Sequence, residues 1–233
     1  MKAKIKRLLK KWRGANIETD AKGTLSYAQC GEDLIMDFCL SQIGVIKPFY
    51  LDIGAYHPYK LNNTYYFYQR GAIGINIEPN PAAFSLFSKY RPNDQNLNEG
   101  ISIDKTGIGI LYTFPAATLN TFSLEEAERI EEMGTYKIID RVETPITSVE
   151  DLIERHLQNQ KIDILSIDTE GMDYDIMKCF MVNNYFPSII CAETLIYEEL
   201  KKPSKRTEVI ELLTQYGYEV YADTYINTIF LKA

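Results

Sequence analysis

Short apolar runs along the chain alternate with segments whose apolar residues recur at helical spacing. Most of these runs are bounded by glycine, proline or polar residues, as the buried strands of a parallel sheet are. A short turn separates the last two runs, which predicts an antiparallel hairpin at one edge of the sheet. In chain order the predicted strands are FYLDI, AIGINIE, NLNEGISI, IDILSID, SIICAE, YEVYAD and NTIFLKA.

Capping residues support the helices that are predicted between these strands. Gly71 suits the end of the helix YYFYQR, Pro81 can open AAFSLFSKY, and Ser123 with Glu126 forms a capping box before an acidic helix. Other helices are predicted over about 32–40, around YDIMKCF and over about 205–216. The alternation predicts an α/β fold: a doubly wound, Rossmann-like, mostly parallel seven-stranded sheet with an antiparallel C-terminal strand.

Composition narrows the class of protein. The 233 residues fit one large domain, and 45% hydrophobic with 24% charged residues is ordinary for a globular protein. A net charge of −7 argues against a nucleic-acid partner held by a broad basic surface. The four cysteines form no CxxC pair, so we interpret them as reduced, mostly buried thiols of a cytoplasmic protein. No apolar run has the length of a membrane span.

The first thirteen residues, MKAKIKRLLKKWR, are basic and amphipathic. Such a helix could make peripheral contact with the inner face of a membrane, or it could be a solvated terminal helix. We therefore divide the chain into a basic helix and linker over residues 1–23 and a single domain over residues 24–233. The oligomeric state is not predicted.

Polar and acidic groups follow the predicted strands. Asp52 and Gly54 end the first, Glu78 follows the second, Asn98 lies near the third, and Asp168 follows the fourth. In open α/β sheets, ligands bind outside the carboxyl ends of the strands, where the strand order reverses. These residues are therefore expected to face one crevice.

The stretch YLDIGAYHP indicates which ligand that crevice takes. A dinucleotide site would need further glycines where Tyr56, His57 and Pro58 stand, because the backbone must approach the pyrophosphate. Glu78 occupies the position from which an acid accepts hydrogen bonds from ribose hydroxyls. S-adenosylmethionine has a ribose, no phosphate, and positive charges that suit an acidic crevice. Gly54 is expected to let the backbone pass close to this cofactor.

Five motifs in order resemble the FkbM-type S-adenosylmethionine-dependent methyltransferases. They are SYAQCGED, FYLDIGAYHP, NNTYYFY, GINIEPNP and IDILSIDTEGMD, between Ser26 and Asp175. The resemblance implies a class I methyltransferase fold and O-methylation of a hydroxyl on a sugar, glycan or secondary-metabolite acceptor. The chain departs from the usual methyltransferase loop around Pro58, where a third glycine would stand.

The resemblance also implies roles for individual cofactor-binding residues. Asp52, Gly54 and Ala55 would border the methionine part of the cofactor, and Glu78 would bind its ribose. Pro79 and Asn80 would lie near the adenine. Asn98 is a weaker candidate, either for the adenine edge or for the loop after the third strand.

Asp168 and Glu170 are the first candidates for catalysis, because they lie on the loop that faces the transferred methyl group in class I enzymes. Methyl transfer needs an aligned acceptor whose proton is removed, and two nearby carboxyls could raise one another's pKa for that task. They could instead bind a divalent metal, although no metal is predicted. Asp168 could also contact the methionine ammonium while Glu170 caps a helix.

His57 is a second candidate base, because its ordinary pKa lies near neutrality. A loop histidine that hydrogen-bonds the backbone is the alternative. Asn63 and Thr64 could bind cofactor or substrate, or simply cap a helix. Gln29, Glu32 and Asp33 belong to a segment that could fold over the cofactor or form an exposed helix start.

Two other functions stay open at this point. An NAD(P)-dependent oxidoreductase or epimerase would share the fold but needs a phosphate-binding turn that the chain lacks. A non-catalytic cofactor-binding module would keep the crevice without turnover. The basic terminal segment suggests an acceptor made at the membrane, such as a lipid-linked or nucleotide-linked glycan.

Overall fold

The computed structural model of the chain describes residues 23–158, 160–169, 171–196 and 204–233. The basic helix predicted over residues 1–13 and the candidate acid Glu170 lie outside these ranges. All seven strands of the main sheet come from segments that the apolar pattern predicts. They are β1 (Phe49–Ile53), β2 (Ile73–Ile77), β3 (Gln95–Leu97), β7 (Ile164–Ile167), β8 (Ile189–Glu193), β11 (Tyr218–Asp223) and β12 (Asn227–Lys232).

The order of the main sheet is β11-β12-β8-β7-β1-β2-β3. Strands β3, β2, β1, β7 and β8 are parallel, whereas β12 is antiparallel to both β8 and β11. The expected doubly wound, mostly parallel fold with an antiparallel C-terminal strand is confirmed. From β1 the chain first builds outward to β3 and later returns to place β7 on the other side. This reversal puts the ligand-binding switch point between β1 and β7.

Helices cover both faces of the sheet. Because side chains alternate along a strand, Leu51 and Ile53 enter the core on one face and Tyr50 enters the core on the other. Each buried apolar side chain of this kind contributes about 1.5–3 kcal/mol to folding. The helices are α1 (Glu32–Gln42), α2 (Tyr65–Gln69), α3 (Pro81–Tyr90), α4 (Leu124–Glu132), α5 (Val149–Leu152), α6 (Asp173–Val182) and α7 (Thr207–Gln215).

Side-chain caps start several of these helices where the sequence predicts them. Asn80 Oδ1 accepts a hydrogen bond from the Ala82 amide at 2.9 Å at the start of α3. Ser123 Oγ accepts from the Glu126 amide at 3.2 Å at the start of α4. In a full capping box the Glu126 carboxylate would accept from the Ser123 amide. Here the Glu126 carboxylate pairs with Arg129 at 2.6 Å instead.

One strand prediction is wrong in its extent. The run NLNEGISI divides into β3, which joins the main sheet, and β4 (Gly100–Ser102), which joins a second sheet. The division occurs because the Asn98 amide donates to the carbonyls of Glu78 and Pro79, at 2.8 and 3.1 Å, and turns the chain away.

Strands β9 (Leu195–Ile196) and β10 (Ser204–Lys205) form a separate antiparallel pair. The second sheet has the order β4-β6-β5 and includes two strands that the apolar pattern did not predict. They are β5 (Gly107–Thr113) and β6 (Asp140–Ser148), which are only partly buried and lack a clear apolar run. Helix α4 lies between them in the chain. Its Ala127 and Ile130 are buried in a small core, so one side of this acidic helix packs against the rest of the protein.

The described cysteines are all free thiols. Cys39 and Cys191 are buried, Cys179 is half-buried and Cys30 is exposed. Within the described ranges, no helix combines the length and the apolar character that a membrane crossing requires.

Candidate functional site

A cavity of about 410 Å³ opens at the carboxyl ends of the parallel strands. Four carboxyl side chains line it, one from the end of each of four neighbouring strands: Asp52, Glu78, Asp168 and Glu193. The charged residues among the described cavity lining are all acidic. The switch point therefore carries a concentrated negative potential.

Gly54 permits the close approach of two strand ends beside this cavity. It has a φ of 77°, and a Cβ atom placed there would lie 1.8 Å from the Asp168 carbonyl oxygen. Only glycine fits both the backbone conformation and the contact. From the sequence, Gly54 is expected to let the backbone pass close to the cofactor. In the structure, the group that requires a glycine at this position is the backbone of Asp168. The amides of Gly54 and Ala55 both donate to the Ile77 carbonyl at 3.0 Å, which ties the loop to β2.

Backbone amides hold Glu78 in place at the next strand end. Its Oε2 accepts from the Tyr56 amide and its Oε1 from the Asn80 amide, each at 2.7 Å. Tyr56 has a φ of 55°, which is uncommon for a residue other than glycine. Burial raises the pKa of Glu78 to about 7, although both amide bonds lower it. Each carboxyl oxygen retains a second lone pair that a ribose hydroxyl could use.

Asp52 is held by side chains from the loop after β1. Its Oδ2 accepts from Thr64 Oγ1 at 2.8 Å and from Asn62 Nδ2 at 3.1 Å. Burial raises the pKa of Asp52, while the Thr64 bond and the positive charge of Arg91 lower it.

Asp168 and Glu193 lie at the ends of the adjacent strands β7 and β8. Removal from bulk water and the charges of Glu193 and Asp173 raise the pKa of Asp168 well above its usual range. The Asp168 side chain nevertheless keeps a large exposed fraction, because it opens into the cavity. Burial and the Asp173 charge raise the pKa of Glu193 to about 7, against the lowering effect of Arg206.

His57 does not line the cavity. Its Nδ1 accepts from the backbone amides of Tyr59 and Lys60, at 3.3 and 3.1 Å, and its ring contacts the Tyr59 ring edge-on. Partial burial and the charge of Lys60 lower the pKa of His57. This geometry favours the loop histidine over the acceptor-facing base.

The remaining candidates divide into those that line the cavity and those that support it. Ala55, Pro79 and Asn63 line it, and Asn63 Nδ2 also donates to Ser166 Oγ at 3.2 Å. Asn80 and Asn98 do not line the cavity, because the Asn80 side chain caps α3 and the Asn98 side chain binds the carbonyls of Glu78 and Pro79. Thr64 is fully buried and reaches the site only through Asp52. Glu170 lies outside the described residues.

Sequence reasoning missed one wall of the cavity. The segment between β5 and α4 contributes it, with Ala117, Thr118, Leu119, Asn120 and Phe122. No apolar period marks these residues, because their positions depend on the second sheet. Glu193 was also missed, although it ends a predicted strand as the other three acids do.

The N-terminal segment before α1 reaches the site as well. Gln29 lines the cavity, and the buried Glu32 accepts from Thr224 Oγ1 at 2.7 Å and from Asn227 Nδ2 at 2.9 Å. Glu32 therefore holds this segment against the C-terminal strands. The alternative of an exposed helix start is wrong, because Glu32 and Asp33 are both fully buried.

The lining residues fit the parts of S-adenosylmethionine. Glu78 suits a ribose, Asp52 and Asp168 suit cationic groups, and the apolar Ile77, Pro79 and Ile101 suit a flat base. Across residues 23–158, 160–169, 171–196 and 204–233, no three His, Cys, Asp or Glu side chains come together as a metal site would require.

Comparison with protein families gives one match. A family model described as the methyltransferase FkbM domain matches residues 52–220, which run from the end of β1 into β11 and include the four strand-end acids. A comparison with curated protein sequences gives no match.

Several solved structures resemble the fold at very low sequence identity. A TehB-like SAM-dependent methyltransferase from Corynebacterium glutamicum is 9% identical, covers 100% of both chains and has a TM-score of 0.44. Magnesium protoporphyrin IX methyltransferase from Synechocystis, solved with SAM, is 8% identical over 98% of this chain and 97% of that chain, with a TM-score of 0.41. A Burkholderia thailandensis 1,6-didemethyltoxoflavin-N1-methyltransferase is 8% identical over 97% and 84%, with a TM-score of 0.40.

Proposed function

Because the chain belongs to the FkbM family of S-adenosylmethionine-dependent methyltransferases, we propose that it O-methylates a hydroxyl group of a sugar, glycan or secondary-metabolite acceptor. The observation that carries this proposal is the convergence of four strand-end carboxyls on one cavity beside Gly54. When bound, S-adenosylmethionine supplies an electrophilic methyl group on a positively charged sulfur. The chain must then hold the donor, orient the acceptor and remove its proton.

On the donor side, Glu78 accepts hydrogen bonds from the ribose hydroxyls, and its two backbone bonds fix the direction of its free lone pairs. Asp52, with Gly54 and Ala55 beside it, faces the methionine part. Pro79 and Ile101 cover the adenine, while Asn80 and Asn98 shape the loop that carries Pro79.

The sheet order supports an acceptor position at the opposite end of the cavity from Glu78. Glu193 on β8 lies three strands away from Glu78 on β2, a distance of roughly 14 Å at the usual strand spacing. With the ribose at Glu78, the acceptor hydroxyl lies beside Asp168 and Glu193. One of these carboxylates takes up the hydroxyl proton, and a carboxyl with a pKa of about 7 suits this task near neutral pH. Asn63 is a substrate contact on the same wall.

Family membership does not support the alternative of an NAD(P)-dependent oxidoreductase, and an acidic cavity would repel its phosphates. A non-catalytic module would bind the cofactor without turnover. Radiolabelled methyl transfer to a panel of sugars, glycans and hydroxylated metabolites separates these functions, since a non-catalytic module labels none of them.

We also propose that the protein acts in the cytoplasm, with residues 1–13 in peripheral contact with the inner face of the membrane. The basic composition of that segment motivates this proposal. If the full chain and a chain lacking residues 1–13 co-sediment equally with anionic vesicles, the membrane contact is contradicted.

Isothermal titration calorimetry with S-adenosylmethionine, S-adenosylhomocysteine and NAD tests the cofactor. The wild-type chain is expected to bind the first two and not NAD. Glu78→Ala should weaken S-adenosylhomocysteine binding by about tenfold or more, because two ribose hydrogen bonds to a charged group are lost. Glu219→Ala, at an exposed glutamate, is the matched control. Binding of NAD alone, or unchanged affinity in Glu78→Ala, would contradict the assignment.

A further inference from the structure

A fully buried arginine, Arg91, lies behind the wall of the cavity. It follows α3 and does not line the cavity itself. A buried guanidinium is costly unless each of its donors has an acceptor. The groups that accept hydrogen bonds from Arg91 therefore indicate the role of its positive charge.

On one side, Arg91 pairs with the buried carboxylate of Asp94. Arg91 Nε donates to Asp94 Oδ2 at 2.7 Å. Asp94 also accepts from the Tyr50 hydroxyl at 2.6 Å and from the Gly74 amide at 3.0 Å. Tyr50 and Gly74 belong to β1 and β2, so this pair is anchored to the central sheet.

On the other side, Arg91 donates into the loop that holds Asp52. Its Nη2 donates to Thr64 Oγ1 at 3.1 Å, and its Nη1 donates to Asn62 Oδ1 at 3.3 Å and to the Pro58 carbonyl at 3.1 Å. Thr64 Oγ1 and Asn62 Nδ2 then donate to Asp52 Oδ2. A continuous chain of hydrogen bonds thus joins Asp94 to Asp52.

The direction of these bonds depends on Arg91. Asn62 Oδ1 accepts from Arg91 and also from the amides of Thr64 and Tyr65, at 3.0 and 2.8 Å. With its lone pairs already used, that oxygen competes poorly for the Thr64 hydroxyl, which lies 3.0 Å away. The Thr64 hydroxyl also accepts from Arg91, so its single proton points to Asp52.

We propose that Arg91 is a positioning residue for the methyl-donor site, which orients Asn62 and Thr64 so that both donate to Asp52 and keep it a carboxylate. This inference rests on the proposed function, because it takes the partner of Asp52 to be the cationic part of the donor. The Asn62 and Thr64 bonds go to Oδ2, and a hydrogen bond from the Ser166 side chain also lowers the pKa of Asp52.

The electrostatic surroundings of Asp52 agree with this role. Burial raises the pKa of Asp52, and the Thr64 bond is the strongest influence that lowers it, followed by the charge of Arg91. The other titratable groups that face Asp52 are Glu78 on β2, Asp168 after β7 and Cys191 on β8, and the negative charge of Asp52 raises the pKa of each. Within the described network, Arg91 is the group that opposes this accumulation of negative charge.

The pH dependence of S-adenosylhomocysteine affinity tests the inference. Affinity is expected to fall as the pH falls through the pKa of Asp52, because the protonated acid no longer attracts an ammonium. Thr64→Val and Arg91→Met raise that pKa, so the fall should begin about one pH unit higher than in the wild type. One unit corresponds to about tenfold weaker binding on the acidic side. Arg91→Lys keeps the charge and should recover part of the shift.

Asp94→Asn is the matched control. It also breaks the buried pair and lowers the melting temperature, but it removes a negative charge beside Arg91. The affinity of this variant for S-adenosylhomocysteine should therefore begin to fall at the same pH as in the wild type, or at a lower pH. A general loss of packing would not produce this result.

Equal upward shifts in Thr64→Val and Asp94→Asn, or no shift in Thr64→Val, would overturn the inference while leaving the proposed function intact. Absence of S-adenosylhomocysteine binding by the wild-type chain would overturn both. Should Arg91→Met fail to fold, Thr64→Val and Asp94→Asn carry the comparison alone.

Discussion

At the scale of single residues, the acids of the site differ in what holds them. Two backbone amides fix Glu78, and a side-chain network anchored by Arg91 fixes Asp52. Asp168 and Glu193 are positioned by their adjacent strand ends, and the charge of Glu193 raises the pKa of Asp168. The directed hydrogen bonds of Asp52 and Glu78 suit the binding of a cofactor. Asp168 and Glu193 combine a raised pKa with a position on the cavity, which suits the movement of a proton.

Substitution of the candidate bases should separate their roles. We expect Asp168→Asn or Glu193→Gln to lower methyl transfer to an acceptor found in the panel by about 10²-fold or more. His57→Ala should leave transfer within about twofold and cost roughly 1 kcal/mol of stability, because two bonds to the loop backbone are lost. Initial rates and thermal unfolding are the measurements.

His156→Ala is the control for the general effect of removing a half-buried histidine that lies away from the cavity. A large loss of turnover in His57→Ala, with unchanged cofactor affinity, would restore His57 as the base. Full turnover in both acid variants would point to His57 or to Glu170.

At the scale of elements, the second sheet determines the shape of the cavity. Strands β4, β5 and β6 support the segment that contains Ala117 to Phe122, and this segment closes the site opposite the main sheet. The Phe122 ring lies against Gly100 of β4, where a Cβ atom would come within 2.2 Å of the ring. The wall therefore depends on a close contact between this segment and the second sheet.

Gly100→Ala should displace the Phe122 ring and weaken S-adenosylhomocysteine binding several-fold, with a stability loss of about 1–3 kcal/mol from overpacking. Calorimetry and chemical denaturation of Gly100→Ala, Phe122→Ala and the double variant form a complete cycle. The double variant should match Phe122→Ala in S-adenosylhomocysteine affinity and in stability, since the smaller side chain at position 122 removes the clash.

Gly23→Ala is the matched control, because a Cβ atom at Gly23 meets no atom within 4 Å. Additive losses in the double variant would show that Gly100 matters for a reason other than its contact with Phe122.

At the scale of the whole molecule, the sheet brings acids from distant parts of the chain to one edge. Glu78 and Glu193 both have a pKa of about 7, raised from 4.5 mainly by burial. The folded protein therefore holds protons that the unfolded chain releases between pH 4.5 and 7. Consequently these two groups make the free energy of unfolding fall as the pH rises through that range.

Glu193→Gln should remove its share of this pH dependence. The difference in the free energy of unfolding between the variant and the wild type should be on the order of 1–3 kcal/mol more favourable to the variant at about pH 8 than at about pH 5. In thermal unfolding, each kcal/mol of this gain should raise the melting temperature by about 2–4 °C for a chain of this length. Glu219→Gln, at an exposed position, should show no such gain. A constant difference between Glu193→Gln and the wild type across this range would contradict the prediction.

Local patterns in the sequence determined the strands of the main sheet and three of the strand-end acids, Asp52, Glu78 and Asp168. Burial alternation, capping and turn residues act over a few positions, so the sequence shows them directly. Only the tertiary structure decided the contacts of Gly54, the role of Arg91 and the approach of Glu193 to Asp168. Each of these depends on groups from separate segments of the chain, which meet because of the order and register of the strands. The wall formed by the second sheet has the same origin, since its weakly patterned and only partly buried strands are stabilised by pairing and not by an apolar period of their own.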